Sequence, residues 1–293
     1  MYSIVIPCYK SSHTLKKLVT LTTEEMQKMN REDLEFVLVN DCSPDGGKTL
    51  EVLRQLAEEN ENVRVINLAK NVGQHNAMMA GLRYAKGDTI ISMDDDMQTH
   101  PSQLPKMFAE YDKGYDVVYG YYPEKKHSLF RNFGSWVNRA SVTILLGKPK
   151  EITSSSFWIM RKYVRDNIIE YTGAHTYLLG LILRATQNIK SVPVQHFERE
   201  YGQSGYTFKQ LVKLWSNIIG FSYKPLQLAL VMGNIMALAA FVATIVIIVR
   251  KCMNPTILVG WPSTMVAILF GVGLNLIFMG LIGEYVGRVY LHI

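Results

Sequence analysis

A chain of 293 residues is long enough for one large domain or two small ones with a substantial apolar core. With 48% hydrophobic and 19% charged residues, it is excluded from the disordered and heavily solvated classes. The net charge of +6 comes without a basic run, its charged residues spread through the first 225 positions, which argues against a nucleic-acid partner.

Met1-Tyr2-Ser3-Ile4-Val5-Ile6-Pro7 has no basic leader and only a short apolar run, so it reads as a first strand and not a signal peptide. Short β-branched runs then alternate with helical periodicity. Tyr2–Ile6, Phe36–Val39, Val63–Leu68 and Thr89–Met93 are predicted strands; Thr14–Met29, Lys48–Asn60 and Gln74–Ala85 are predicted helices. That alternation predicts an α/β fold, a mostly parallel sheet covered by helices. Ligands of such sheets bind beyond the carboxyl ends of the strands. The segments there are Pro7-Cys8-Tyr9-Lys10, Asn40-Asp41-Cys42-Ser43, Asn71-Val72-Gly73 and Asp94-Asp95-Asp96. Further on, 129–145 carries an apolar helical stripe, Ser191–Phe197 reads as a strand, and 206–222 is amphipathic in a way that suits a helix lying in a membrane interface.

Lys and Arg number 31 and Asp and Glu 25, yet only four of these, Arg250, Lys251, Glu284 and Arg288, follow residue 225. Leu226–Val249 is 24 residues and Ile257–Ile282 is 26 residues without a charge or a histidine. At about 1.5 Å rise per residue, each is long enough for a hydrocarbon core of ~30 Å. The expected organisation is a catalytic domain over 1–205, a juxtamembrane helix over 206–224, and transmembrane helices over 225–250 and 257–283. With no signal peptide, the domain is expected on the cytoplasmic side of a cell inner membrane, with two spans returning the chain to it, and Lys209, Lys213, Lys224 and Arg288 against Arg250 and Lys251 agree modestly. Cys8, Cys42 and Cys252 have no disulfide or metal-ligand spacing, which suits a reducing compartment. Assembly into a homo-oligomer through the spans is left open.

The sharpest motif is Asp94-Asp95-Asp96-Met97-Gln98, after an apolar strand. Adjacent carboxylates repel one another; a divalent cation removes that penalty, and Mg²⁺ or Mn²⁺ takes oxygen ligands and leaves room for substrate phosphates. A solvated acidic turn capping a helix at Pro101 is the bland alternative. Gly46-Gly47-Lys48-Thr49 fails as a phosphate-binding loop, because the first glycine of that motif would fall at Cys42. Arg199-Glu200-Tyr201-Gly202-Gln203-Ser204 offers a cation, a flexible glycine and a hydroxyl suited to a diphosphate. No pair among the seven histidines has ligand spacing, and all read as structural or surface groups.

Taken in order, Val5-Ile6-Pro7-Cys8-Tyr9, Asn40–Ser43, Asn71-Val72-Gly73, Asp94–Gln98, Ser155-Ser156-Phe157, Arg199–Ser204 and Gly283-Glu284-Tyr285-Val286-Gly287-Arg288 resemble the family 2 glycosyltransferases. More narrowly, the set is similar to polyprenyl-phosphate glycosyltransferases, the dolichyl-phosphate mannose synthases and the bacterial undecaprenyl-phosphate sugar transferases. The resemblance implies a GT-A fold (Rossmann-like, mostly parallel sheet). It also implies inverting transfer of a sugar from a nucleotide donor, a UDP-hexose, to undecaprenyl or another polyprenyl phosphate, for cell-envelope glycans. By the same resemblance, Pro7, Tyr9 and Asp41 match the nucleotide-base pocket, Asp94 and Asp96 the DxD pair, and Gln98 an additional metal ligand. Asp95 joins the donor-binding set, Arg131 matches a basic residue near the phosphates, and Arg199 and Ser204 match the diphosphate loop. Asp94, Asp96 and Arg199 are then the catalytic group. Two departures stand out: Lys10-Ser11 replaces the usual Asn-Glu, and Ser156 stands where several bacterial members carry an acidic residue. A phosphate monoester with a second pKa near ~6 is already ionised at neutral pH, so such an acceptor needs no general base. Other readings are a processive polysaccharide synthase, for which Gln-x-x-Arg-Trp is missing and two spans are few, or a catalytically silent scaffold that binds nucleotide-sugar.

Overall fold

A computed structural model describes residues 1–123, 147–173, 176–195 and 260–290, with 143, 197 and scattered positions from 226 to 253. The chain divides into two compact units, Met1–Asn217 and Ile218–Ile293.

In the first unit, β1 (Tyr2–Cys8), β2 (Leu34–Asn40), β3 (Val63–Asn67) and β4 (Thr89–Ser92) alternate with α1 (Leu15–Lys28), α2 (Lys48–Glu59) and α3 (Gln74–Tyr84). A 3₁₀ turn at Pro101–Gln103 leads into α4 (Leu104–Tyr111), followed by β5 (Val117–Tyr121), β6 (Trp158–Arg161), α5 (Lys162–Ile169), α6 (Leu178–Ala185) and β7 (Ile189–Pro193). The sheet order is β3-β2-β1-β4-β6-β5-β7. β1 pairs in parallel with both β2 and β4, so the connections leaving it and β4 diverge and open a crevice at their carboxyl ends.

Burial explains the composition of these strands. All seven residues of β2 are buried, as are the last six of β1, because helices cover both faces. Leu15, Leu18, Val19, Thr22 and Met26 line the buried face of α1 at helical spacing and meet Ile4, Ile6, Leu38 and Phe36 in the core. Against the other face, α3 packs so closely that a Cβ on Gly81 would collide with Val5 Cγ1 and lie 3.0 Å from Val39 Cγ2.

The half after β4 departs from simple alternation. β6 runs antiparallel between β4 and β5, while β7 returns parallel to β5. Neither β5 nor β6 has a clear signature in the sequence. β7 begins two residues before the predicted Ser191, because its register follows β5, from Val117↔Ile189 to Tyr121↔Pro193.

In the second unit, α7 runs from Trp261 to Tyr290, 30 residues, over the expected second span. Of the expected first span only scattered helical positions are described, and the predicted helix over 206–224 lies outside the described residues. Counted over the described residues alone, no helix is long and apolar enough to cross a membrane, so the expected spans are not carried by the structure. What the described positions do show is exposed apolar surface: Ile235, Leu238, Val242, Met253, Ile268, Met279 and Val286 are each more than half exposed.

Candidate active site

The crevice at the ends of β1, β2 and β4 gathers most of the residues singled out from the sequence. Pro7 is buried in register with Val39 at the end of β1. Tyr9, just beyond, is 45% exposed, and the Lys10 ammonium sits 5.5 Å from its ring centroid. Lys10 occupies the left-handed region at φ 58°, with its N–H donating to Ser43 Oγ at 3.1 Å.

Asp41 closes the second side. Its carboxylate accepts from the backbone N–H groups of Val72 (2.7 Å) and Gly73 (3.0 Å), fastening the loop before α3 to the end of β2. Gly73 has φ 85°, a conformation that glycine adopts without strain, so the approach depends on that residue type. Desolvation raises the Asp41 pKa, and these two hydrogen bonds oppose the rise.

The three consecutive aspartates diverge. Asp95 Oδ2 accepts from the N–H of Tyr9 at 2.7 Å and its carbonyl from Thr14 Oγ1, so this residue ties the end of β4 to the end of β1. Asp94 faces the opposite side: Gln74 Nε2 donates to Oδ1 at 2.8 Å, and Ser156 Oγ donates to Oδ2. Asp96 Oδ1 accepts from the N–H of Gln98 at 3.0 Å, within a tight turn where Met97 has φ 63°. Desolvation raises the Asp94 pKa to about 7, the neighbouring carboxylates push the same way, and the Ser156 and Gln74 hydrogen bonds oppose them. Asp95 is raised to about 6, again first by desolvation. A site that disfavours its own negative charge to this extent is suited to a cation.

Among the described residues, no group of three or more His, Cys, Asp or Glu side chains forms a ready-made metal cage. The available donors are the carboxylates of Asp94 and Asp96 and the amide of Gln98. All are hard oxygen donors, too few to enclose an ion, which fits a Mg²⁺ or Mn²⁺ that also takes substrate phosphate oxygens. Each Asp94 oxygen keeps a further lone pair beside the hydrogen bond it accepts. Arg131, Arg199 and Ser204 lie outside the described residues.

Two participants, Gln74 and His75, were not singled out in the sequence, and Ser156 was noted there only as standing where relatives carry an acid, not as a partner of Asp94. Gln74 and Ser156 both hold Asp94, and both line a cavity of about 250 Å³. His75, Trp158, Tyr119 and Tyr177 also line it. The one signal for Gln74 and His75 was position, directly after the Asn71-Val72-Gly73 loop. Ser156 is 62 residues from Asp94 and is brought to it by the pairing of β6 with β4, Ser92↔Trp158.

A family model described as glycosyl transferase family 2 matches residues 3–169. Among solved structures, the chain is similar to glucosyl-3-phosphoglycerate synthase from Mycobacterium tuberculosis. In complex with phosphoglyceric acid, that enzyme gives 14% identity and a TM-score of 0.53 over 76% of this chain and 80% of that one. In complex with Mn²⁺ and uridine-diphosphate-glucose it gives 13% identity and a TM-score of 0.52, covering 76% and 79%. S. aureus TarS 1-349 aligns at 18% identity with a TM-score of 0.47, covering 75% of this chain and 66% of that one. At these identities the likeness to the synthase shows a shared fold and no more.

Proposed function

The chain belongs to glycosyl transferase family 2, and from that premise we propose that it transfers a sugar from a nucleotide donor to a polyprenyl phosphate at a membrane surface. Nucleotide-sugar glycosyltransfer is the family's chemistry; the lipid acceptor, the membrane setting on the cytoplasmic side and the metal are our reading. The observation that carries it is the joint occurrence of the Asp94–Gln98 cluster at the crevice and two long uncharged apolar runs downstream, Leu226–Val249 and Ile257–Ile282. The apolar side chains exposed along the second unit support the same reading, since a surface of this kind calls for a hydrophobic covering.

Asp94, Asp96 and Gln98 would hold Mg²⁺ or Mn²⁺, which when bound supplies positive charge to the departing nucleotide diphosphate. Gln74 and Ser156 fix the rotation of the Asp94 carboxylate, and Asp95 holds the β4 end against β1. Tyr9 offers an exposed ring against which a base can stack, with Asp41 setting the loop beside it. Arg199 and Ser204 are assigned to the diphosphate, and Arg131 to the charge near the phosphates. The acceptor phosphate is ionised at neutral pH, so its oxygen attacks the anomeric carbon directly, inverting it, and the bond to the diphosphate breaks in the same step. No proton has to be removed, which is why a serine at 156 suffices where an acid would otherwise act as base.

Radiolabelled UDP- and GDP-sugars incubated with undecaprenyl phosphate and the full-length protein in detergent test this. Label should pass to the lipid fraction in a manner abolished by EDTA. Transfer only to soluble phosphorylated acceptors, with none to lipid, would overturn the acceptor assignment.

A further inference from the structure

Resting on the reading of Asp96 and Gln98 as metal ligands, we propose that His100 and Phe197 are positioning residues. Their stacked rings fasten the segment that follows β7 to the turn carrying those ligands, so that metal binding at the turn and ordering of the segment reinforce each other.

The turn needs bracing. Met97, 2% exposed, has φ 63°, a left-handed conformation that a residue with a side chain keeps only where its surroundings hold it. From within the turn, the Asp94 N–H donates to Thr99 Oγ1 at 3.0 Å and the Gln98 N–H to Asp96 Oδ1. From outside, the Phe197 N–H donates to the Gln98 carbonyl at 3.4 Å. Gln98 is thus held at its N–H by a carboxylate of the metal set and at its carbonyl by a segment nearly 100 residues away in the chain. A 3.4 Å hydrogen bond is long, and the His100 ring adds to it, lying 4.7 Å from the Phe197 ring at a tilt of 32°.

Both sides of this stack are fixed. His100 Nδ1 accepts from the Ser102 N–H at 3.2 Å, which caps the 3₁₀ turn at Pro101–Gln103 and sets the ring's direction. Gln103 Oε1 accepts from the Gln195 N–H at 3.1 Å, laying the chain after β7 along the same stretch. Arg199, assigned to the diphosphate, follows Phe197 by two residues. A metal that tightens the turn therefore tightens the chain leading to that arginine, and by linkage an ordered segment raises the affinity of the turn for metal.

Amide hydrogen exchange on the full-length wild type, with and without Mn²⁺ and UDP or GDP, gives the first test. Binding should slow exchange at the Phe197 amide as well as across 94–98. Protection of 94–98 with Phe197 unchanged would overturn the inference. Calorimetric titration of Mn²⁺ in the presence of each nucleotide gives the second. Phe197→Leu keeps apolar bulk without the ring, and His100→Asn keeps a side-chain acceptor for the Ser102 N–H without the ring. Each should weaken Mn²⁺ binding by about two- to tenfold. The double variant should lose no more than the larger single loss, as one shared contact requires, and Phe197→Tyr, which restores a ring, should stay within about twofold of wild type. Unchanged affinity in both single variants, or losses that multiply in the double variant, would overturn the coupling and leave the metal reading standing. The exchange experiment decides the matter even if a variant fails to fold. Failure of the wild type to bind Mn²⁺ with either nucleotide would overturn the metal reading and the inference together.

Discussion

Asp94 concentrates the residue-scale physics of the site. Its pKa of about 7 lies above the ordinary carboxylate value of 3.8, first because it is desolvated. The folded chain therefore holds that proton more tightly than the unfolded chain does. The corresponding stabilisation is complete below the unfolded value and is lost as pH rises through about 7. Melting temperatures measured without metal, from about pH 5 to about pH 8, should show wild type losing ground to Asp94→Asn, and Mn²⁺ should recover the loss at the higher pH. Ser156 opposes the pKa rise through its hydrogen bond. Ser156→Ala should consequently move the acidic limb of the pH–rate profile upward and cost less than about tenfold on the plateau. Arg199→Ala should lower the plateau far more without moving that limb, if the residue offsets the charge of donor and acceptor phosphates as proposed. If Asp96 holds the metal as proposed, Asp96→Asn should reduce kcat by roughly 10²–10³, with EDTA reproducing the effect in wild type. Steady-state kinetics across pH separates these outcomes.

Among the elements, α3 has the strictest requirements. Asp41 fixes its entry through Val72 and Gly73, and Gly81 lets its middle lie against β1 and β2. Gly81→Ala should overpack this contact and destabilise the protein by about 1–3 kcal/mol in urea unfolding. Because Gln74 and His75 ride on the same helix, a shift of α3 should also weaken donor binding, which calorimetry on the variant would reveal. The strands and helices of this half were legible because β-branched runs buried on both faces and helical stripes at i, i+3, i+4 are local patterns. β6 was not legible: four residues, Trp-Ile-Met-Arg, carry no alternation long enough to separate strand from helix, and antiparallel insertion between β4 and β5 is a long-range choice.

Over the whole molecule, a GT-A unit precedes a unit whose described apolar side chains are largely exposed. A chain ending at residue 225 should still bind nucleotide-sugar, since every described crevice residue lies upstream. It should lose most transfer to a long-chain prenyl phosphate while keeping more activity on a short, water-soluble analogue. Equal use of the long-chain acceptor by both forms would reduce the apolar runs to tethers.

By itself the sequence determined the alternating α/β order, the placement of Asp41 and Asp94–Gln98 at strand ends, and the abrupt loss of charge after residue 225. Each follows from a local rule of periodicity, burial or solvation. Only the tertiary structure decided how the three aspartates share the work, with Asp95 turned to the Tyr9 N–H and Asp94 to Gln74 and Ser156. It also decided that His75, which in sequence looks like any other histidine, stands in the wall of a cavity. Partners 20 and 62 residues away reach Asp94 through helix placement and strand register. Those are set by packing of the whole sheet, and no local pattern around position 94 encodes them.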